Sequence, residues 1–252
     1  MTTSKPLRNF ILLAMTSAAL TVAACGQAEH ADEPLSSEGS TIPTIGADEP
    51  LVAVTVFCDY QCPACRAAHR TLSSLASHFG DTVQLRYRQF PLIGSHHLAR
   101  DAAVYALAAH RQGHFSCMNT LLYQQQPEWE ELTPEAFREA AIGYAAACHV
   151  DAERYAIDIA DPSLGQQVDD DAEIARTLEP RGGTPTIYVS GLQPSRPRAG
   201  TPHSRLLIPR IRSELRQARA LIEGGLPRSE VARQKIFGDT GDAERTRMIY
   251  GD

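Results

Sequence analysis

The segment Cys62-Pro63-Ala64-Cys65 constrains this 252-residue chain more than any other. It follows Leu51-Val52-Ala53-Val54-Thr55-Val56-Phe57, an apolar, β-branched run without polar alternation, which predicts a strand buried on both faces. It also opens a stretch from Cys62 to Phe79 that reads as a helix, with Pro63 suited to the first turn and Gly80 to the C-terminal cap. A thiolate at a helix N-terminus faces unsatisfied N–H groups and the positive end of the helix dipole. That placement predicts a lowered thiol pKa, roughly 3.5–7.5 at such sites. Two intervening residues set Cys65 one turn deeper, so Cys62 is the expected nucleophile and Cys65 the resolving partner. Pro63, Ala64 and Asp59 are the neighbours of this helix start.

The competing reading of two cysteines at this spacing is half of a zinc site, which needs two further Cys or His at ligand spacing. The other cysteines, at 25, 58, 117 and 148, are scattered and form no second pair. Haem attachment fails because Arg66, not His, follows Cys65. The residues therefore point to redox chemistry, with no metal and no organic cofactor implied.

The N-terminus is set aside before fold reasoning. Lys5 and Arg8 precede an uncharged, mostly apolar run from Phe10 to Ala24, the shape of a secretory signal and too short to span a bilayer comfortably. Val22-Ala23-Ala24-Cys25 resembles the end of a bacterial lipoprotein signal, with Cys25 as the lipidated first residue and membrane anchor; ordinary cleavage after Ala24 is the alternative. Loss of residues 1–24 takes the basic count from 24 to 22 against 30 acids, and the formal net charge from −6 to −8. Without a basic tract, nucleic-acid binding and attraction to anionic lipid are not expected.

Residues 26–50 are rich in Glu, Asp, Ser, Pro and Gly and read as a flexible tether from 25 to 50. After the first strand and helix, Val83 to Phe90 alternates in the strand period. A helical block covers about 95–180, with Thr133-Pro134 a good helix start. Thr184 to Ser190 reads as a strand, followed by a hairpin region and a helix from about His203 to Ile222, which Pro209 should kink or begin. Residues 226–252 read as a short helix and loose tail. Strands alternating with helices give an α/β class.

Three motifs then carry a resemblance: Asp59-Tyr60-Gln61-Cys62-Pro63-Ala64-Cys65, Arg88-Gln89-Phe90-Pro91-Leu92, and Gly183-Thr184-Pro185-Thr186. Together they resemble the DsbA-like branch of the thioredoxin superfamily, from about Leu51 to about Ile222. The resemblance implies a thioredoxin-like fold over 51–225, with a helical insertion between the second and third core strands. It also implies a cis Thr184-Pro185 bond beside the cysteines, presenting the Thr184 backbone to a substrate strand. One departure stands out: Val56 occupies the position where many relatives carry a buried acid that helps deprotonate the resolving thiol.

The implied activity is disulfide exchange with polypeptide thiols outside the cytoplasm, reset by a redox partner the sequence does not name. The lack of a dimerisation domain argues for an oxidase-like monomer over an isomerase. The alternatives are a thioredoxin-like copper chaperone and a non-catalytic binding lipoprotein. Cys117 and Cys148 are read either as a structural disulfide or as two buried thiols, and Cys58 as a packing residue. His69, His96, His97, His110 and His114 are read as packing or surface residues, and Trp129 as core.

Overall fold

The computed structural model describes Met1 and residues 42–179, 182–191, 194–195, 203–238 and 242–251. The signal, Cys25 and most of the tether lie outside the described residues. The run read as a buried strand forms β2 (Val52–Cys58), and every one of its seven residues is buried. Its alternate side chains enter two separate cores. Val52, Val54, Val56 and Cys58 join the larger one, and Ala53 and Phe57 the smaller. That two-sided burial explains why the sequence shows no polar alternation.

Helix α1 (Pro63–Phe79) follows, with Cys62 as its N-cap and Gly80 ending it at φ 49°. Strand β3 (Val83–Gln89) returns parallel to β2. The insertion then comprises α2 (Ala99–His110), α3 (Phe115–Gln124), the short α4 (Gln126–Trp129), α5 (Pro134–Ala147), α6 (Ala152–Asp158) and α7 (Pro162–Leu178). Side-chain oxygens of Thr133, Asp151 and Asp161 cap α5, α6 and α7 by accepting the Ala136, Arg154 and Ser163 N–H groups. Strand β4 (Thr186–Val189) pairs antiparallel with the other side of β2, and the two-residue β5 (Pro194–Ser195) pairs with β4. Helices α8 (His203–Glu223), α9 (Arg228–Phe237) and α10 (Ala243–Tyr250) complete the described chain.

The sheet order includes a strand the sequence reading missed. Thr44–Gly46 forms β1, antiparallel to β3, giving the order β1-β3-β2-β4-β5. The tether reading of 25–50 therefore does not hold at its C-terminal end. Ile42 and Ala47 are buried there, and Gly46 adopts φ 106° where a Cβ would meet the Val83 carbonyl oxygen at 2.4 Å. Averaging over 26–50 hid this short apolar segment among acidic and polar residues.

The loose-tail reading of 226–252 differs in the same way. Ile249 and Tyr250, at the end of α10, are buried in the smaller core. Arg86 and Arg88 reach from β3 to donate to the Tyr250 and Ile249 carbonyls, the free C-terminal acceptors of that helix. Pro209 does not begin α8; the helix starts at His203 and runs through it.

Candidate active site

The β2–α1 turn is held by a buried aspartate. The Asp59 side chain is 0% exposed, and its Oδ1 accepts the Gln61 and Cys62 N–H groups at 2.7 and 3.1 Å. Its Oδ2 accepts the Leu92 N–H at 2.7 Å and pairs with His96 Nδ1 at 2.8 Å. Amide and hydroxyl side chains pin the same turn from the insertion. Gln61 donates to the Glu130 carbonyl and accepts the Leu98 N–H, while Gln126 donates to the Tyr60 carbonyl. The Tyr60 hydroxyl donates to Asn119 at 2.9 Å. The turn is thus tied to the loop after β3 and to α3 and α4.

The two thiols occupy different depths. Cys65 is fully buried and its sulfur accepts the Asp59 N–H at 3.4 Å. Cys62 retains 8% exposure and is flanked by the exposed Pro63 and Ala64. Its Sγ donates to the Thr184 carbonyl at 3.5 Å. The Thr184-Pro185 bond is cis. Because β4 begins at Thr186, the Gly183–Pro185 backbone stands beside the cysteines outside the sheet ladder. The structure thus brings Asp59, Cys62, Pro63, Ala64, Cys65, Thr184 and Pro185 together.

The electrostatics depart from the sequence expectation of a lowered pKa. In this dithiol form the Cys62 thiol is pushed up, first by sharing a proton with the Cys65 sulfur and then by burial. The Thr184 hydroxyl and the Cys65 N–H pull the other way. That hydroxyl is buried and makes no hydrogen bond to a described group. Burial also raises Cys65, reinforced by the neighbouring Cys58 thiol. Sequence spacing locates the helix N-terminus but gives no sign of this depth.

Cys117 and Cys148 lie apart from this site, joined by a disulfide that links α3 to the end of α5. Cys58 is a buried free thiol at the end of β2. Among the described residues, no group of three His, Cys, Asp or Glu is arranged to hold a metal ion. The sequence reading missed His96, the amides Gln61 and Gln126, and Asn119. Gln61 lies inside the first motif, but nothing in its spacing signals that both ends of its amide are used. His96 departs from its packing reading by pairing with Asp59. His69 stays close to that reading, stacked on Tyr123 with ring centroids 4.9 Å apart.

Residues 38–200 match the family described as Thioredoxin. Among curated proteins, the chain is 33% identical over 148 residues to the Na(+)/H(+) antiporter NhaA 1 of Mycolicibacterium vanbaalenii, covering 58% of this chain and 22% of that protein. The chain therefore spans about a fifth of that relative's length. Among the described residues no helix is long and apolar enough to cross a membrane. A thioredoxin-like oxidoreductase from Silicibacter pomeroyi superposes with a TM-score of 0.55 at 24% identity, covering 73% of this chain and 95% of that one. The thiol-disulfide exchange protein alpha-DsbA2 of Wolbachia pipientis gives 0.54 at 17% identity, covering 73% and 89%. These structures share the fold, and the family match extends over more than half of the sequence: the chain belongs to the thioredoxin family.

Proposed function

We propose that this protein is an extracytoplasmic thiol-disulfide oxidoreductase that oxidises polypeptide thiols through the Cys62–Cys65 pair. The observation that carries the reading is the contrast in depth between the sulfurs, with the shallower one on the Thr184 carbonyl, outside the sheet ladder. In the oxidised protein, a substrate thiolate attacks Cys62 Sγ. The Cys62–Cys65 bond breaks and Cys65 leaves as a thiolate that takes up a proton. A second substrate thiol then attacks the mixed disulfide, Cys62 departs with the electron pair, and the substrate gains a disulfide. Two electrons and two protons reach the protein, so a partner disulfide must later reoxidise it.

The Thr184 backbone supports substrate pairing, since it lies outside the sheet ladder and its carbonyl accepts only the Cys62 thiol, which a substrate strand can displace. The Cys117–Cys148 disulfide supports an oxidising compartment. Export with lipidation of Cys25 rests on the Val22-Ala23-Ala24-Cys25 signal. Mass spectrometry of the mature N-terminus is expected to find an acylated Cys25; a mature chain starting at an unmodified Cys25 removes the anchor.

The test of the activity is a pair of substitutions. Cys62→Ser abolishes oxidation of a dithiol peptide, while Cys65→Ser accumulates mixed disulfides on Cys62 because the resolving thiol is gone. Full activity in both variants would overturn the assignment.

A further inference from the structure

We propose that His96 is a positioning residue for the redox reaction: by donating to the buried Asp59 carboxylate it holds that group on the Cys62 and Gln61 N–H groups, offsets its charge, and so sets the redox potential of the Cys62–Cys65 pair. The inference rests on the redox reading above and extends it to a side chain outside the three sequence motifs.

Asp59 is a carboxylate in the protein interior with four donors, three from the main chain and one from His96. Among the described residues, His96 is its only ion-pair partner. Burial of a carboxylate is costly unless its oxygens are satisfied, so each donor matters to where the group sits. Cys62 is the N-cap of α1, and its own N–H is one of the free donors at that helix start. Asp59 claims it, together with the Gln61 N–H. A negative charge is thereby fixed close to the nucleophile.

His96 acts on the other carboxylate oxygen. It belongs to the loop between β3 and α2, and its N–H donates to the Leu92 carbonyl at 2.9 Å. Leu92 N–H in turn donates to Asp59 Oδ2, so the loop and the carboxylate form one closed arrangement. Its side chain is 22% exposed, which leaves room for substitution without opening the core.

The sign follows from charge. A carboxylate near Cys62 disfavours its thiolate, and the dithiol state is stabilised when thiolate is favoured. Removing the His96 N–H leaves the Asp59 carboxylate less screened, so its field at Cys62 grows and the potential falls. Removing the Asp59 charge raises it.

The experiment equilibrates the protein with reduced and oxidised glutathione and measures the dithiol–disulfide ratio. In this exchange two glutathione thiols reduce the Cys62–Cys65 disulfide and leave as one glutathione disulfide. His96→Leu is expected to favour the protein disulfide by about threefold to tenfold, tenfold being about 30 mV for this couple. Asp59→Asn shifts the equilibrium the opposite way. His96→Asn, which keeps a donor, returns most of the His96→Leu shift, and His96→Leu has no further effect in the Asp59→Asn background. A His96→Leu variant that loses stability while keeping the wild-type potential overturns the inference, as does a shift that persists without the Asp59 charge. A wild-type pair that does not equilibrate with glutathione instead overturns the proposed function itself.

Discussion

Cys62 and Cys65 carry the same functional group, and their roles separate by surroundings. Thr184 supplies part of that difference, because its hydroxyl works against the rise of the Cys62 pKa. Thr184→Val therefore makes Cys62 less acidic and favours the disulfide; the pH dependence of Cys62 alkylation checks it. A second residue-scale prediction concerns His69. Burial lowers its pKa from 6.5 to about 4, so the unfolded chain binds the extra proton between those values. Stability contributed by the neutral ring is complete above pH 6.5 and falls as pH drops toward 4, by as much as about 3 kcal/mol. Denaturant titrations at pH 7 and pH 4.5 should show that slope, and His69→Phe should flatten it while keeping the stack on Tyr123. The cysteine pair was legible in the sequence because spacing alone puts it at a helix start. The direction of its pKa was not, since that depends on the hydrogen bond between the two sulfurs and on burial. His96 was invisible for a related reason: its partner lies 37 positions earlier and only the fold brings them together.

Among the elements, long periodic segments were readable and short ones were not. The β2 run and the capped helices follow from local composition, whereas β1 is three residues long and exists because β3 offers it an edge. Helix α10 is eight residues, too short for propensity to specify, and gains its place from the arginines of β3. Ending the chain after Phe237 would expose the surface that Ile249 and Tyr250 cover and leave Arg86 and Arg88 with only Gln84 and Asp171 as partners. We expect a loss of about 3–6 kcal/mol, at about 1.5–3 kcal/mol for each large apolar side chain, measured by urea unfolding. The insertion has its own brace. The Cys117–Cys148 link closes a loop spanning a sequence separation of 31, and the double Cys→Ala variant should lose about 3–4 kcal/mol in the chain-entropy picture. Its Cys62–Cys65 chemistry should survive wherever the variant is folded, because the brace lies apart from the site.

For the molecule as a whole, the sheet, the insertion and the capped turn converge on one end of β2, where one thiol is reachable and the other is sealed. The fold class was legible because three motifs lie in order along the chain, two at the C-terminal ends of β2 and β3 and one at the start of β4. The insertion's part in fixing the active-site turn, through Asn119, Gln126 and the Glu130 carbonyl, emerges only in three dimensions. The central claim is that Cys62 and Cys65 act as one reversible two-electron unit. It is tested most directly by equilibrating the wild-type protein across glutathione buffers, quenching in acid, and mapping every cysteine by alkylation and mass spectrometry. The account predicts that Cys62 and Cys65 lose their free thiols together along a single curve, while Cys58 stays free throughout. Oxidation of one of the pair without the other, or a pair that stays dithiol across the whole range, would contradict it.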